Sequence, residues 1–144
     1  MTEQLYHKIL VATDGSERNL AAVDEALRIA RVCGAEVVAA YVQDISALES
    51  APPGEMMLRD TWGVIQKEGE AALDRIRSRA EGILLQTVPL EGKPAPEIVR
   101  YATENNIDLI VIGTQGKRGL ERLLLGSVAE SVIRSAPCRV LVVK

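Results

Sequence analysis

The 144-residue chain predicts an α/β layered fold on three observations. Short, unbroken apolar runs recur along it. Apolar residues at spacings of three and four fill the intervals between those runs. Turn residues separate the two patterns. Unbroken apolar runs mark strands buried on both faces of a parallel sheet, and regular alternation of strand and helix is the α/β signature.

Each element follows in order. Lys8 to Thr13 is apolar and is succeeded by Asp14-Gly15-Ser16, so it predicts a buried strand leading into a helix start. Leu20, Val23, Leu27 and Ala30 fall on one helical face, and Gly34 marks that helix's stop. Glu36 to Val42 is the second strand. Residues 44 to 57 are irregular, and Pro52-Pro53-Gly54 breaks any helix there, which predicts a surface loop. Leu58, Trp62, Ile65, Gly69, Ala72, Leu73, Ile76 and Ala80 predict a long helix. Ile83 to Val88 is the third strand, and Pro94 and Pro96 open a helix through Ile98, Val99 and Ala102. Asp108 to Gly113 is the fourth strand. After a glycine-rich excursion, a helix runs from about Ser127 to Ser135, Pro137 stops it, and Arg139 to Val143 is the fifth strand. Crossovers between parallel strands should be right-handed. No repeat, low-complexity tract or interdomain linker interrupts the pattern, so residues 1–144 read as one domain.

Composition narrows the function classes. Apolar residues are 47% and charged residues 26%, which suits a soluble, ordered domain. The net charge of −3 and 3% aromatics disfavour a nucleic-acid partner, and no basic recognition helix is visible. The first residues, MTEQLYHKILVATDG, lack signal-peptide features, and no apolar run approaches the ~20 residues that span a bilayer. The expectation is a cytoplasmic protein with no membrane partner. Cys33 and Cys138 match no zinc or redox spacing and read as buried free thiols. His7 is the only histidine, so no histidine-based triad or multi-histidine metal site can be built.

The chemistry concentrates in the loops after the first and fourth strands. In open α/β sheets, ligands bind beyond the carboxyl ends of the strands where strand order reverses. Glycines at 113, 116, 119 and 126 let main-chain amides approach an anion, and the helix beginning near Ser127 offers free amides and a positive dipole end. Lys117, Arg118 and Arg122 against Glu121 leave the loop net positive, and the Ser127 hydroxyl can donate. These features suit phosphate. Two blander roles stand beside that reading: Ser127 with Glu130 fits a capping box, and Asp14 fits a cap of the first helix. Neither a Walker A string nor the Rossmann G-x-G-x-x-G is present.

Gly113-x2-Gly116-x9-Gly126-Ser127 resembles the G-2x-G-9x-G-[ST] pattern of the ATP-binding branch of the universal stress protein family. The likeness extends through KILVATDGSE, AEVVAAYV, DLIVIGTQGKRG and the ending GSVAESVIRSAPCRVLVVK, hence along the whole chain. The resemblance implies a five-stranded parallel sheet of order 3-2-1-4-5 with two helices on each face, a Rossmann-like fold. It implies that Ala12, Thr13 and Asp14 border base and ribose, that backbone groups of Val42 contact adenine, and that Ile112 and Gly113 border the ribose side. Gly116, Gly126, Ser127 and Val128 then surround the phosphates. It further implies ATP or another adenine nucleotide as ligand, accompanied by magnesium or manganese, and a homodimer through Arg139 to Val143.

The function expected on these grounds is a cytoplasmic ATP-binding stress-response or regulatory protein. The alternatives are a slow ATPase or phosphoryl-transfer enzyme, and a dimeric interaction scaffold without nucleotide turnover. Asp14 and Glu130 are the only nearby carboxylates that could position a water for hydrolysis, so efficient catalysis is not expected.

Overall fold

The computed structural model describes residues 3–43, 55–114 and 125–144. Strand β1, Lys8–Thr13, lies at the centre of a five-stranded parallel sheet of order β3-β2-β1-β4-β5. The other strands are β2, Glu36–Gln43, β3, Leu85–Glu91, β4, Leu109–Gly113, and β5, Arg139–Val143. Four helices connect them: α1, Leu20–Cys33, α2, Glu55–Arg79, α3, Pro94–Glu104, and α4, Ser127–Ser135. A 3-10 turn, Glu17–Asn19, precedes α1.

Side-chain alternation along the central strands divides the core in two. Ile9, Val11, Val37, Ala39, Tyr41, Leu109 and Val111 face one side. They meet Ala22, Val23, Ala26, Leu27 and Ala30 of α1 and Ala72, Leu73 and Ile76 of α2. Leu10, Ala12, Val38, Ala40, Val42, Ile110 and Ile112 face the other. They pack on Ile98, Tyr101 and Ala102 of α3 and Ala129 and Val132 of α4. Two helices therefore cover each face. The strands read as unbroken apolar runs because both of their faces are buried in this way.

The helix signals act as their chemistry requires. Gly34 adopts φ 72°, a left-handed conformation, and its amide donates to Ala30 O at 2.8 Å to end α1. Pro94 occupies the first turn of α3, where no intrahelical donor is lost. At the amino ends of the strands, the Asp108 carboxylate accepts from His7 N at 2.7 Å and Lys8 N at 3.0 Å, which clamps the entry of β1 to that of β4.

Three expectations need correction. The third strand does not run from Ile83 to Val88. Ile83 lies in the turn after α2, and pairing with β2 carries the strand from Leu85 to Glu91, through Pro89 opposite Tyr41. An edge strand tolerates a proline because alternate amides point away from the sheet. Cys33 and Cys138 are half-buried free thiols at the margins of the two cores, not fully buried ones. The long helix begins at Glu55, inside the stretch expected to be loop; the rest of that stretch, 44–54 with Pro52-Pro53-Gly54, lies outside the described residues. Among the described residues, no helix is long and apolar enough to cross a membrane.

Candidate functional site

Strand pairing opens a cleft at the centre of the sheet. β1 pairs with β2 as far as Thr13↔Tyr41, and β4 pairs with β5 as far as Gly113↔Val143. Between β1 and β4 the ladder stops earlier, at Val11↔Val111. Both strands continue two residues further without each other. The reason is topological: the chain leaves β1 towards α1 on one face and leaves β4 towards α4 on the other. The sheet separates where the strand order reverses, the place where open α/β sheets receive ligands.

The expected site residues converge there, with one outside view. Ala12, Val42 and Ile112 share the face covered by α3 and α4, and Val128 packs against the same cluster. Thr13 ends β1 and is buried; its Oγ1 accepts from Gly15 N at 3.0 Å. Gly113 ends β4. Gly126 is drawn to that end, because its amide donates to Thr114 O at 2.7 Å while Thr114 N donates to Val143 O at 3.1 Å. The amino end of α4 is thus held against the carboxyl ends of β4 and β5. Gly116 lies outside the described residues, as do Lys117, Arg118, Gly119, Glu121 and Arg122.

The helix start differs from the capping box. The N-cap is Gly126, not Ser127, and no side chain caps the helix. Ser127 is already the first helical residue, so its hydroxyl is too far along to serve the box. Glu130 instead pairs with Arg134 Nη2 at 2.6 Å. The first intrahelical bond runs from Glu130 N to Gly126 O, so the amides of Ser127, Val128 and Ala129 have no intrahelical acceptor. A helix end of this kind attracts an anion.

Asp14 likewise is not the cap of the first helix; the helical run opens at Ser16 with the 3-10 turn and passes through Asn19 into α1. Asp14 Oδ1 accepts from Ser16 N at 2.9 Å and from Asn19 Nδ2 at 2.8 Å. Asp14 Oδ2 is closed to solvent and has no hydrogen-bond partner, the one such side-chain atom among the described residues. A buried acceptor without a donor costs about 1–3 kcal/mol, so a ligand hydroxyl or amine that reaches it relieves a penalty. The residues present therefore fit a ligand with a hydroxyl-bearing end and an anionic end. They offer less to a cation: no group of three or more His, Cys, Asp or Glu gathers among the described residues.

Sequence reasoning missed three contributors. Asn19 is buried, and its amide orients Asp14. Tyr41 is buried on β2 beneath the Gly15 loop. Gly69 lets α2 pass over the Tyr41 ring. The D-G-S-x-x-N spacing was the available signal for Asn19, whereas nothing local marks the other two.

The comparisons with known proteins agree with the architecture. The profile of the Universal stress protein family matches residues 5–144. Universal stress protein MJ0531 of Methanocaldococcus jannaschii is 47% identical, over 99% of this chain and 84% of its own length. Among solved structures, universal stress protein UspA from Lactobacillus plantarum superposes with a TM-score of 0.81 at 32% identity, covering 96% of this chain and 98% of that one. A universal stress protein in complex with cAMP matches with a TM-score of 0.67 at 30% identity, over 96% of this chain and 97% of that one. The Archaeoglobus fulgidus universal stress protein in complex with dAMP matches at 0.64 and 26%, over 97% and 99%. Sequence, strand order and layer arrangement lead to one assignment: the chain belongs to the universal stress protein family.

Proposed function

We propose that this protein binds an adenine nucleotide, ATP in the first instance, in the cleft between the carboxyl ends of β1 and β4, and that occupancy is its regulatory signal in a stress response. The observation that carries the reading is the early end of the β1–β4 ladder at Val11↔Val111, flanked by an unpartnered Asp14 oxygen and the uncapped start of α4. Relatives solved with cAMP and dAMP support the adenine class.

In this reading, adenine lies beside Ala12 and the backbone of Val42. Thr13, Asp14, Ile112 and Gly113 border the ribose, with Asp14 as hydroxyl acceptor. Gly116, Gly126, Ser127 and Val128 supply amides and one hydroxyl to the phosphates. Magnesium or manganese, when present, neutralises phosphate charge. Turnover is not part of the proposal, because Glu130 is engaged with Arg134 and Asp14 Oδ1 with Asn19. Asp14 Oδ2, the oxygen left over, is assigned in this reading to the ribose. The protein is proposed to work in the cytoplasm as one nucleotide-binding domain spanning 1–144.

The two sheet edges favour a homodimer. β3 carries Pro89 and exposed Gln86 and Glu91, features that deter strand addition. β5 has neither proline nor charge between Val140 and Val143, and all four residues remain partly exposed. Sedimentation at high micromolar concentration should show a dimer; a monomer there rejects this part of the reading. Calorimetry with magnesium-ATP should show saturable one-site binding. No heat at high protein concentration, with no adenine nucleotide released on denaturation, rejects the function.

A further inference from the structure

Asp14 and Asn19 are joined by a side-chain hydrogen bond across the start of the first helical run. Asn19 ends the 3-10 turn that runs directly into α1, so its backbone is already helical, φ −79° and ψ −12°, and its side chain makes no capping bond. Its Nδ2 instead donates backwards, to Asp14 Oδ1 at 2.8 Å and to Ser16 Oγ at 3.0 Å. The residue is only 5% exposed. The chain thus commits a buried amide to one carboxylate oxygen.

The consequence lies on the other oxygen. With Ser16 N and Asn19 Nδ2 both donating to Oδ1, rotation of the carboxylate would break two hydrogen bonds. Oδ2 is therefore fixed in place, closed to water and without a donor. We infer that Asn19 is a positioning residue of the binding site: by occupying Asp14 Oδ1 it reserves Asp14 Oδ2 for a hydroxyl of the ligand's sugar. This rests on the proposed nucleotide function and deepens it. It makes the sugar hydroxyls, not the base, the group that the β1 end discriminates. Asn19 itself touches no ligand in this scheme.

The test compares ATP with 2′,3′-dideoxy-ATP, in the wild-type protein and in Asn19→Ala, by calorimetry. A hydrogen bond to a charged acceptor predicts that wild type prefers ATP by about tenfold or more. In Asn19→Ala the preference should shrink, chiefly through weaker ATP binding, because a carboxylate held by Ser16 N alone presents its second oxygen less rigidly. A purely structural role would weaken both ligands alike and leave the ratio unchanged, and that result overturns the inference. So does a wild-type protein that binds the two ligands equally. If neither ligand binds wild type, the proposed function falls first and this inference with it. Should Asn19→Ala fail to fold, Ser16→Ala, which removes the Oγ that steadies the Asn19 amide, should reduce the ratio in the same direction. An unchanged ratio in that variant, together with a nucleotide-bound crystal in which no sugar hydroxyl meets Oδ2, overturns it equally.

Discussion

A Cβ placed on Gly69 of α2 would lie 2.9 Å from both Cδ1 and Cε1 of Tyr41 on β2. The long helix can cross the carboxyl end of β2 only because this position has no side chain. The same ring also stands 3.0 Å, at Cε2, from a Cβ on Gly15, whose φ of 84° already favours glycine. Tyr41 is thus enclosed by the β1–α1 loop on one side and α2 on the other, directly beside the proposed site.

The first prediction reverses the usual rule for glycine in helices. Replacing an interior helical glycine with alanine generally stabilises by about 0.5–1 kcal/mol. Gly69→Ala should instead destabilise by about 1–3 kcal/mol, the cost of overpacking against an aromatic ring. Gly63, on the same helix, has nothing within 4 Å of a built Cβ, so Gly63→Ala should follow the usual rule. Denaturant midpoints of the two variants decide the matter. In a Tyr41→Ala background, Gly69→Ala should become neutral or stabilising, a coupling that a double-mutant cycle reads directly.

The second prediction separates binding from folding at the start of α4. Gly126 has φ −61° and ψ 157°, a conformation open to any residue. Gly126→Val should therefore fold with a melting temperature near that of wild type. Its branched side chain would nevertheless occupy the space through which the proposed phosphates reach the amides. Affinity for magnesium-ATP should drop more than about tenfold, as expected for losing one or more charge-assisted hydrogen bonds. Retained wild-type affinity would move the phosphates elsewhere.

The third prediction concerns the thiol at the opposite end of the sheet. Burial pushes the Cys138 thiol above its ordinary value of 9.0, and the negative charge of Asp108 acts in the same direction, against a weaker opposing hydrogen bond from the Ile110 backbone. At neutral pH the thiol is protonated. Because the folded value is the higher one, the neutral thiol's contribution to stability is complete below 9.0 and is lost as pH rises through the raised value. In a Cys33→Ser background, Cys138 should react with iodoacetamide more slowly than an unstructured thiol at pH 8. Asp108→Asn should accelerate it a few-fold while circular dichroism shows the fold retained. Equal rates in the two proteins would remove Asp108 as a cause.

Much of this molecule is legible before folding. The apolar runs at Lys8–Thr13, Asp108–Gly113 and Arg139–Val143 locate strands because residues buried on both faces need no alternation. Gly34, Pro94 and Pro137 punctuate helices through backbone constraints local to themselves. The third strand was displaced because its limits follow from pairing with β2, which overrode the disfavoured Pro89. The capping box at Ser127 failed for a related reason. The bond from Gly126 N to Thr114 O anchors the chain one residue earlier and makes glycine the cap.

The sequence by itself determined the alternation of strands and helices, the family and the residues proposed to meet a nucleotide. Those depend on local periodicity, turn chemistry and motif spacing, which a linear chain carries openly. Only the tertiary structure decided that β1 and β4 part after Val11 and Val111, that the Asn19 side chain holds Asp14, and that Tyr41 lies between Gly15 and Gly69. Each of these joins residues through hydrogen-bond geometry or contact at atomic range. Such relations exist only once the layers have packed.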